Sequence, residues 1–240
     1  MTGVALPELA AAERPETLTH LVLSVIRNAI VNHELPAGTR VTEAGLARQL
    51  KVSKTPVREA LLRLREIGLV EPYGQRGGRI VSPSRRAIEE AYGVREALEV
   101  YAAQAAAERA KRHQAVLLGH LAQRSLSAAK KGDFEEFQAA DEEVHRLIAE
   151  AAGNNRLATQ IEQSLSLVSA SRNRDVPGPN GSVECAHDHV RVANAVRAGD
   201  AGRAEREMST HIRRVAQIVL TAYDATHIVA NANANGDVTT

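Results

Sequence analysis

Asp141, His145, His189 and His211 are the residues of this chain whose types and spacing could do chemistry. Around FQAADEEVHRLIAE (137–150) an apolar stripe runs through Phe134, Phe137, Val144 and Ile148 at helical steps. Asp141 falls inside that stripe, and His145 lies one turn further along beside it. In DAGRAEREMSTHIRRVAQIVLTA the stripe Ala204, Met208, His211, Val215, Ile218, Ala222 carries His211 inward. In SVECAHDHVRVANAV the face Ser182, Ala186, His189, Ala193, Val196 does the same for His189 and leaves His187 on a neighbouring face. Polar groups of this kind avoid buried faces unless something pairs with them. Each alone has a plain account, as a core histidine bonded to a carbonyl or an aspartate in a salt bridge. Together they need partners, and no inward Lys or Arg is equally well placed to serve. An Asp and a His at i and i+4 share a helical face and can reach one ion. Imidazoles with a carboxylate suit Zn²⁺ foremost, or Ni²⁺, Fe²⁺ or Mn²⁺, better than Ca²⁺ or Mg²⁺. Facing helices of a bundle commonly build such sites. The expected cofactor is a divalent transition metal.

The elements that must position these groups are helices. Segments 84–112, 114–130, 133–152, 155–173, 183–198 and 200–226 read as helical, with Gly, Asn, Pro or Asp breaks between them. Asp133 with Glu136 forms a capping-box analogue at the start of the Asp141 helix. The tail from 227 to 240, with NANANGDVTT, lacks core-forming residues and is expected to be disordered. SPSRR is the expected linker to the preceding domain.

The N-terminal third is organised differently. Leu18, Leu21, Val22, Val25, Ile26, Ala29 and Ile30 trace an amphipathic helix that LPAGTRV breaks. Thr42 can cap a short second helix; KVS turns tightly into a third, with Ser53 or Thr55 as its cap, which runs to Ile67 and stops at Gly68. LVEPYGQRGGRIV then alternates and turns on glycines, as a β-hairpin does. The fold class is therefore mostly α. A winged helix-turn-helix of three helices plus a hairpin (16–82) precedes an all-α bundle of about six helices (84–226). Val57, Leu61 and Leu64 hold the third helix to its core. Lys54, Thr55 and Arg58 then face outward near its N-terminal end, where a reading helix meets bases and phosphates. Gln75 and Arg76 occupy the hairpin tip. A solvated basic face on a small structural domain is the competing account.

Composition narrows the classes. From His20 to Ser82 there are ten Lys/Arg against five Asp/Glu, and from Pro83 onward nineteen against twenty-one. A basic first third on a nearly neutral body predicts an anionic partner for that third alone. Six aromatics, none of them Trp, argue against a stacking platform for single-stranded nucleic acid. A single cysteine, Cys185, excludes an internal disulfide framework and suits a reducing cytoplasm. Neither a membrane-spanning run nor a signal-peptide pattern is present, so no membrane partner is expected.

LPAGTRVTEAGLARQLKVSKTPVREALLRLREIGLVEPYGQRGGRIV resembles the DNA-binding domain of the GntR family of bacterial transcription regulators, most specifically in VSKTPVREAL…GLV. That resemblance implies that Ser53, Lys54, Thr55 and Arg58 read DNA, with the Gly74–Gly78 wing entering the minor groove. Lys54 stands where the family usually has Arg, and Ala44 replaces an arginine often found at the start of the second helix. The body is similar to the FCD ligand-binding domain of the FadR subgroup, through VREALEVYAAQAAAE, the Asp141/His145 pair, AGNNRL, DHVRVANAVRAGD and MSTHI. In metal-binding members the ligands fall at the positions of Asp141, His145, His189 and His211. Asp188–His189 stands in place of the usual Glu-His pair. The resemblance further implies a small carboxylate effector at the metal, with Arg95 in the pocket; Arg172 is a second effector candidate.

The expected function is a ligand-responsive transcription regulator, a repressor by the commoner family outcome, and not an enzyme. It would bind a palindromic double-stranded operator as a homodimer, since two reading heads match two symmetric half-sites. It would work in the bacterial cytoplasm, associated with the nucleoid. Two alternatives stand beside it: a metal-dependent hydrolase with an accessory DNA-binding domain, against which no inward base sits beside the ligands and only His187 and Glu142 remain as candidates, and a DNA-binding protein with a purely structural metal.

Overall fold

The computed structural model describes residues 15–32, 34–66, 68–75, 77–81, 84–175 and 181–236, without side chains at 15–17, 166–175 and 226–236. The chain divides into two compact units, Met1–Ser82 and Pro83–Thr240.

The first unit runs α1 (Pro15–Val31), β1 (Arg40–Thr42), α2 (Glu43–Leu50), α3 (Lys54–Glu66), β2 (Val70–Pro72) and β3 (Gly77–Ile80). Local chemistry sets its turns. The Thr42 hydroxyl accepts from the Gly45 N–H at 3.0 Å and caps α2. Lys51 closes α2 in the left-handed region (φ 54°). Beyond α3, Gly68 takes φ 84°, so the Leu69 N–H reaches back to the Leu64 carbonyl. Val57, Ala60, Leu61 and Leu64 of α3 are fully buried and meet Val22, Ile26 and Ile30 of α1 in one core. Burial takes only the i, i+4 ridge of α1. Leu18, Leu21 and Val25, which the wider stripe placed inward, are exposed, because α3 is the chief neighbour of α1 within its unit.

The hairpin is two strands of a three-stranded antiparallel sheet ordered β1-β3-β2. β1 was not anticipated; it lies in the segment expected only to break the first helix. Three residues are too few to show a period of two, and the pairing partner is distant in sequence. Val41 lies opposite Gly78, and Pro72 flanks the same glycine from the other side. A Cβ at Gly77 would meet the Val41 carbonyl and one at Gly78 the Val70 side chain, so the paired glycines are required by close approach.

The second unit consists of α4 (Arg85–Arg109), α5 (Arg112–Lys131), α6 (Phe134–Ala151), α7 (Asn155–Asp175), α8 (Ser182–Ala198) and α9 (Ala201–Gly236). Ser84 caps α4 and Asp133 caps α6 through the Glu136 N–H at 3.1 Å. α4 lies along α9, α5 packs on α6 and α8, and α8 on α9. Buried alanines (Ala102, Ala103, Ala105, Ala106) let α4 approach its neighbours closely around Phe137, Val144, Ile148, Met208 and Ile212. Removing the Phe137 ring would cost about 3–5 kcal/mol. α9 runs to Gly236, past the boundary at 226 read from the sequence. Extending an existing helix adds one hydrogen bond per residue without a new nucleus, and no proline interrupts 227–236. Among the described residues no helix is long and apolar enough to cross a membrane.

Candidate metal centre and nucleic-acid interface

α6 carries Asp141 and His145 on successive turns, α8 carries His189, and α9 carries His211. All four are buried, with relative exposures of 7, 2, 0 and 1%. The three imidazoles converge, with ring centroids 4.7–5.2 Å apart. His145 Nε2 and His211 Nε2 are 3.2 Å apart, and His189 Nε2 is 3.5 Å from Asp141 Oδ1. Their inner nitrogens therefore share one small volume.

The outer nitrogens explain the orientation. His145 Nδ1 faces the Glu99 carboxylate of α4. His189 Nδ1 lies 3.4 Å from the Ser125 hydroxyl of α5. His211 Nδ1 lies 3.6 Å from Asp188, which also pairs with Arg191 and Arg214. Each ring thus has an outer partner at Nδ1 and turns Nε2 inward, the arrangement that fixes tautomer and aim in metal-ligating histidines. Burial pushes the His211 pKa well below its ordinary value, with the His145 charge adding to the effect, so the ring is held neutral. Burial alone would raise Glu99, but the charges of Arg95 and His145 and their hydrogen bonds hold its carboxyl well below the usual carboxylate range.

Three converging imidazoles, with the Asp141 carboxylate beside His189, offer the nitrogen and oxygen donors a divalent transition ion requires, and these residues fit one. His187, one residue from Asp188, is exposed and takes no part. Glu142 is half-buried on α6.

One expectation is corrected here. An inward arginine does reach the cluster. Arg95 is 3% exposed, its Nε donates to Glu99 Oε1 at 2.6 Å, and its Nη2 lies 3.5 Å from His145 Nε2. The signal was Glu99 at i+4 on the same face, which satisfies a cation that would otherwise stay out. Sequence reasoning also missed Ser125 and the placement of Cys185, whose Sγ donates to Asp141 Oδ1 at 3.4 Å. Cys185 and His189 are four residues apart on one face, a spacing that could have found it. Arg172 lies on α7, but its side chain falls outside the described residues.

In the first unit, Ser53, Lys54, Thr55 and Arg58 are exposed at the N-terminal end of α3, and Gln75 is exposed at the hairpin tip. Arg40, Thr42, Lys54, Tyr73 and Gln75 line one depression, with the Arg40 guanidinium 4.5 Å over the Tyr73 ring. Arg40 was missed because its strand was missed. Arg58 Nε donates to both Glu43 oxygens at 3.2 Å, which raises its pKa and holds the guanidinium in place. Arg76 lies outside the described residues. Ala44, exposed at the start of α2, contributes no long side chain to this face.

Comparison with known proteins decides the family. Residues 20–80 match the model for bacterial regulatory proteins of the gntR family, and residues 90–214 match that of the FCD domain. The chain belongs to the GntR family and carries an FCD domain. It is 30% identical over 229 residues, 92% of each chain, to a probable D-xylose utilization operon transcriptional repressor of Paenarthrobacter nicotinovorans. It is 24% identical over 198 residues to the Escherichia coli HTH-type transcriptional repressor RspR, covering 82% of this chain and 87% of the relative. E. coli McbR/YncC shares the fold with a TM-score of 0.75 at 23% identity, over 86% of this chain and 98% of its own. This GntR-family chain is a DNA-binding transcription regulator, not an enzyme.

Proposed function

We propose that this regulator is a homodimeric repressor that binds a palindromic double-stranded operator and senses a small organic acid through a divalent transition metal, Zn²⁺ foremost. Asp141, His145, His189 and His211 would hold the ion. The observation that carries this reading is the orientation of the three imidazoles: every Nε2 points inward and every Nδ1 meets an outer partner, Glu99, Ser125 or Asp188. A histidine buried only for packing needs no such common aim.

A bound ion would supply Lewis-acid positions for one carboxylate oxygen. Arg95 would supply the other contact, since its Nη2 lies beside the inner nitrogen of His145, and Arg172 remains a second candidate. Arg95 and Glu99 of α4 both reach His145 of α6, so an acid that engages Arg95 acts on two helices at once. Its differential affinity for two arrangements of the bundle would set the operator-bound fraction. Ser53, Lys54, Thr55, Arg58 and Gln75, with Arg76, would form the reading surface, used twice by the dimer in the cytoplasm. One relative is named as a probable D-xylose utilization operon transcriptional repressor, in keeping with repression.

Operator-binding anisotropy tests the reading. With metal-loaded protein, a panel of small mono- and dicarboxylates should contain members that weaken operator binding, and metal-stripped protein should be indifferent to them. Equal responses in both forms would remove the metal from sensing; no response in either would leave the ion structural.

A further inference from the structure

We propose that Cys185 is a thiolate ligand of the same ion as Asp141 and His189, making this a mixed sulfur, nitrogen and oxygen site. The inference rests on the metal reading above and deepens it.

Cys185 lies one helical turn before His189 on α8, so both side chains leave the same face. Cys185 is 1% exposed, and its sulfur lies 3.4 Å from Asp141 Oδ1 and 4.0 Å from His189 Nε2, with the outer nitrogen of His211, Nδ1, at 3.9 Å. A buried thiol ordinarily behaves as a small apolar group and packs among carbons. This one does not.

The spacing of the donors is that of ligands around an ion. A tetrahedral centre with metal–sulfur bonds of about 2.3 Å and metal–nitrogen or –oxygen bonds of about 2.0–2.1 Å has ligand–ligand edges of roughly 3.3–3.6 Å. Asp141, Cys185 and His189 form a triangle with edges of 3.4, 3.5 and 4.0 Å. Two of those edges fall in that range and the third is within half an ångström of it. His145, His189 and His211 form a second donor set, and the two sets share His189. An ion bound at His189 is therefore within reach of the Cys185 sulfur and the Asp141 carboxylate.

Chemistry follows from the added donor. As the metal–sulfur bond forms, the thiol proton leaves to solvent and the thiolate electron pair becomes the dative bond. A thiolate strengthens binding of Zn²⁺ and Co²⁺ far more than that of Mn²⁺, which favours oxygen donors. The site would thus discriminate among ions that three histidines and a carboxylate treat more evenly.

Cobalt substitution of the full chain decides this, and Cys185 is the only cysteine, so any thiolate signature comes from it. Metal-stripped protein titrated with Co²⁺ should bind one ion per chain, with a sulfur-to-cobalt charge-transfer band in the near ultraviolet beside the visible d–d bands. Cys185→Ser should lose the ultraviolet band and keep the d–d bands. Cobalt bound in the wild type with d–d bands alone would overturn the inference and leave the metal reading standing. No cobalt bound in the wild type would overturn both. An ultraviolet band that persists in Cys185→Ser would also overturn it. Should that variant fail to fold, X-ray absorption of the zinc-loaded wild type decides without it: a sulfur scatterer at about 2.3 Å supports the ligand, and a shell of nitrogen and oxygen alone refutes it.

Discussion

Glu99→Ala tests the polar network most severely. Glu99 is 2% exposed and compensates Arg95, which is 3% exposed, through a 2.6 Å contact, while its other oxygen faces His145 Nδ1. Removing the carboxylate leaves a guanidinium buried without its counter-ion, which costs about 3–5 kcal/mol. For a unit of this size each kcal/mol lowers the thermal midpoint by roughly 2–4 °C, so a fall on the order of 6–20 °C is expected in the metal-free protein. Removing both partners with apolar replacements, as in Arg95→Met/Glu99→Leu, should recover most of that loss, since the penalty belongs to the unpaired charge rather than to the pair. The single variant should also lose metal affinity by about 10–100-fold, because nothing then fixes the His145 ring. Thermal melts at one fixed protein concentration, with and without Zn²⁺, read both effects. A Glu99→Ala midpoint within 2–4 °C of wild type, about 1 kcal/mol, or a double variant less stable than the single one, would refute the reasoning.

The metal-free protein should lose stability as pH falls below about 6.5. Burial depresses His211, so the unfolded chain binds its proton first and stability drops as the pH falls, by at most about 1.4 kcal/mol per unit from this group. Glu99, also depressed, adds a loss below about 4.5, and a midpoint flat between pH 7 and 5 would contradict the His211 assignment. Arg58→Ala should weaken operator binding by ~1–3 kcal/mol and relax discrimination at one base pair per half-site. Arg76→Ala should instead lower affinity for all sequences and flatten the salt dependence; a footprint unchanged by both would remove the reading surface. Light scattering of the specific complex should show two chains per duplex, with reading helices ~34 Å apart, and a single chain per site would rule out the dimer.

The winged unit and the helical bundle were legible because their signals are local. Thr42, Gly68 and Asp133 mark helix ends through hydrogen bonds and turns within five residues, and the bundle stripes repeat with the helical period. β1 was not legible, since three residues carry no period and its partner β3 lies 35 residues or more away. α1 showed a stripe wider than the ridge it buries, because periodicity marks an apolar face and not how much of it finds a neighbour. Asp141, His145, His189 and His211 stood out as polar interruptions of apolar stripes. Glu99, Ser125 and Cys185 did not, because their meaning depends on which helices face one another. Arg95 was named only through the family resemblance; the stripes alone did not show it inward, because an arginine reads as a surface residue until its i+4 carboxylate is counted with it.

Metal content of wild type and five variants tests the central claim most directly. After reconstitution with Zn²⁺ and removal of excess, mass spectrometry should find one ion per chain in wild type and in His187→Ala. Asp141→Ala, His145→Ala, His189→Ala and His211→Ala should each retain little or none. Metal kept by His189→Ala but lost by His187→Ala would show that the wrong histidine faces the centre, and a wild type that holds no metal would contradict the account.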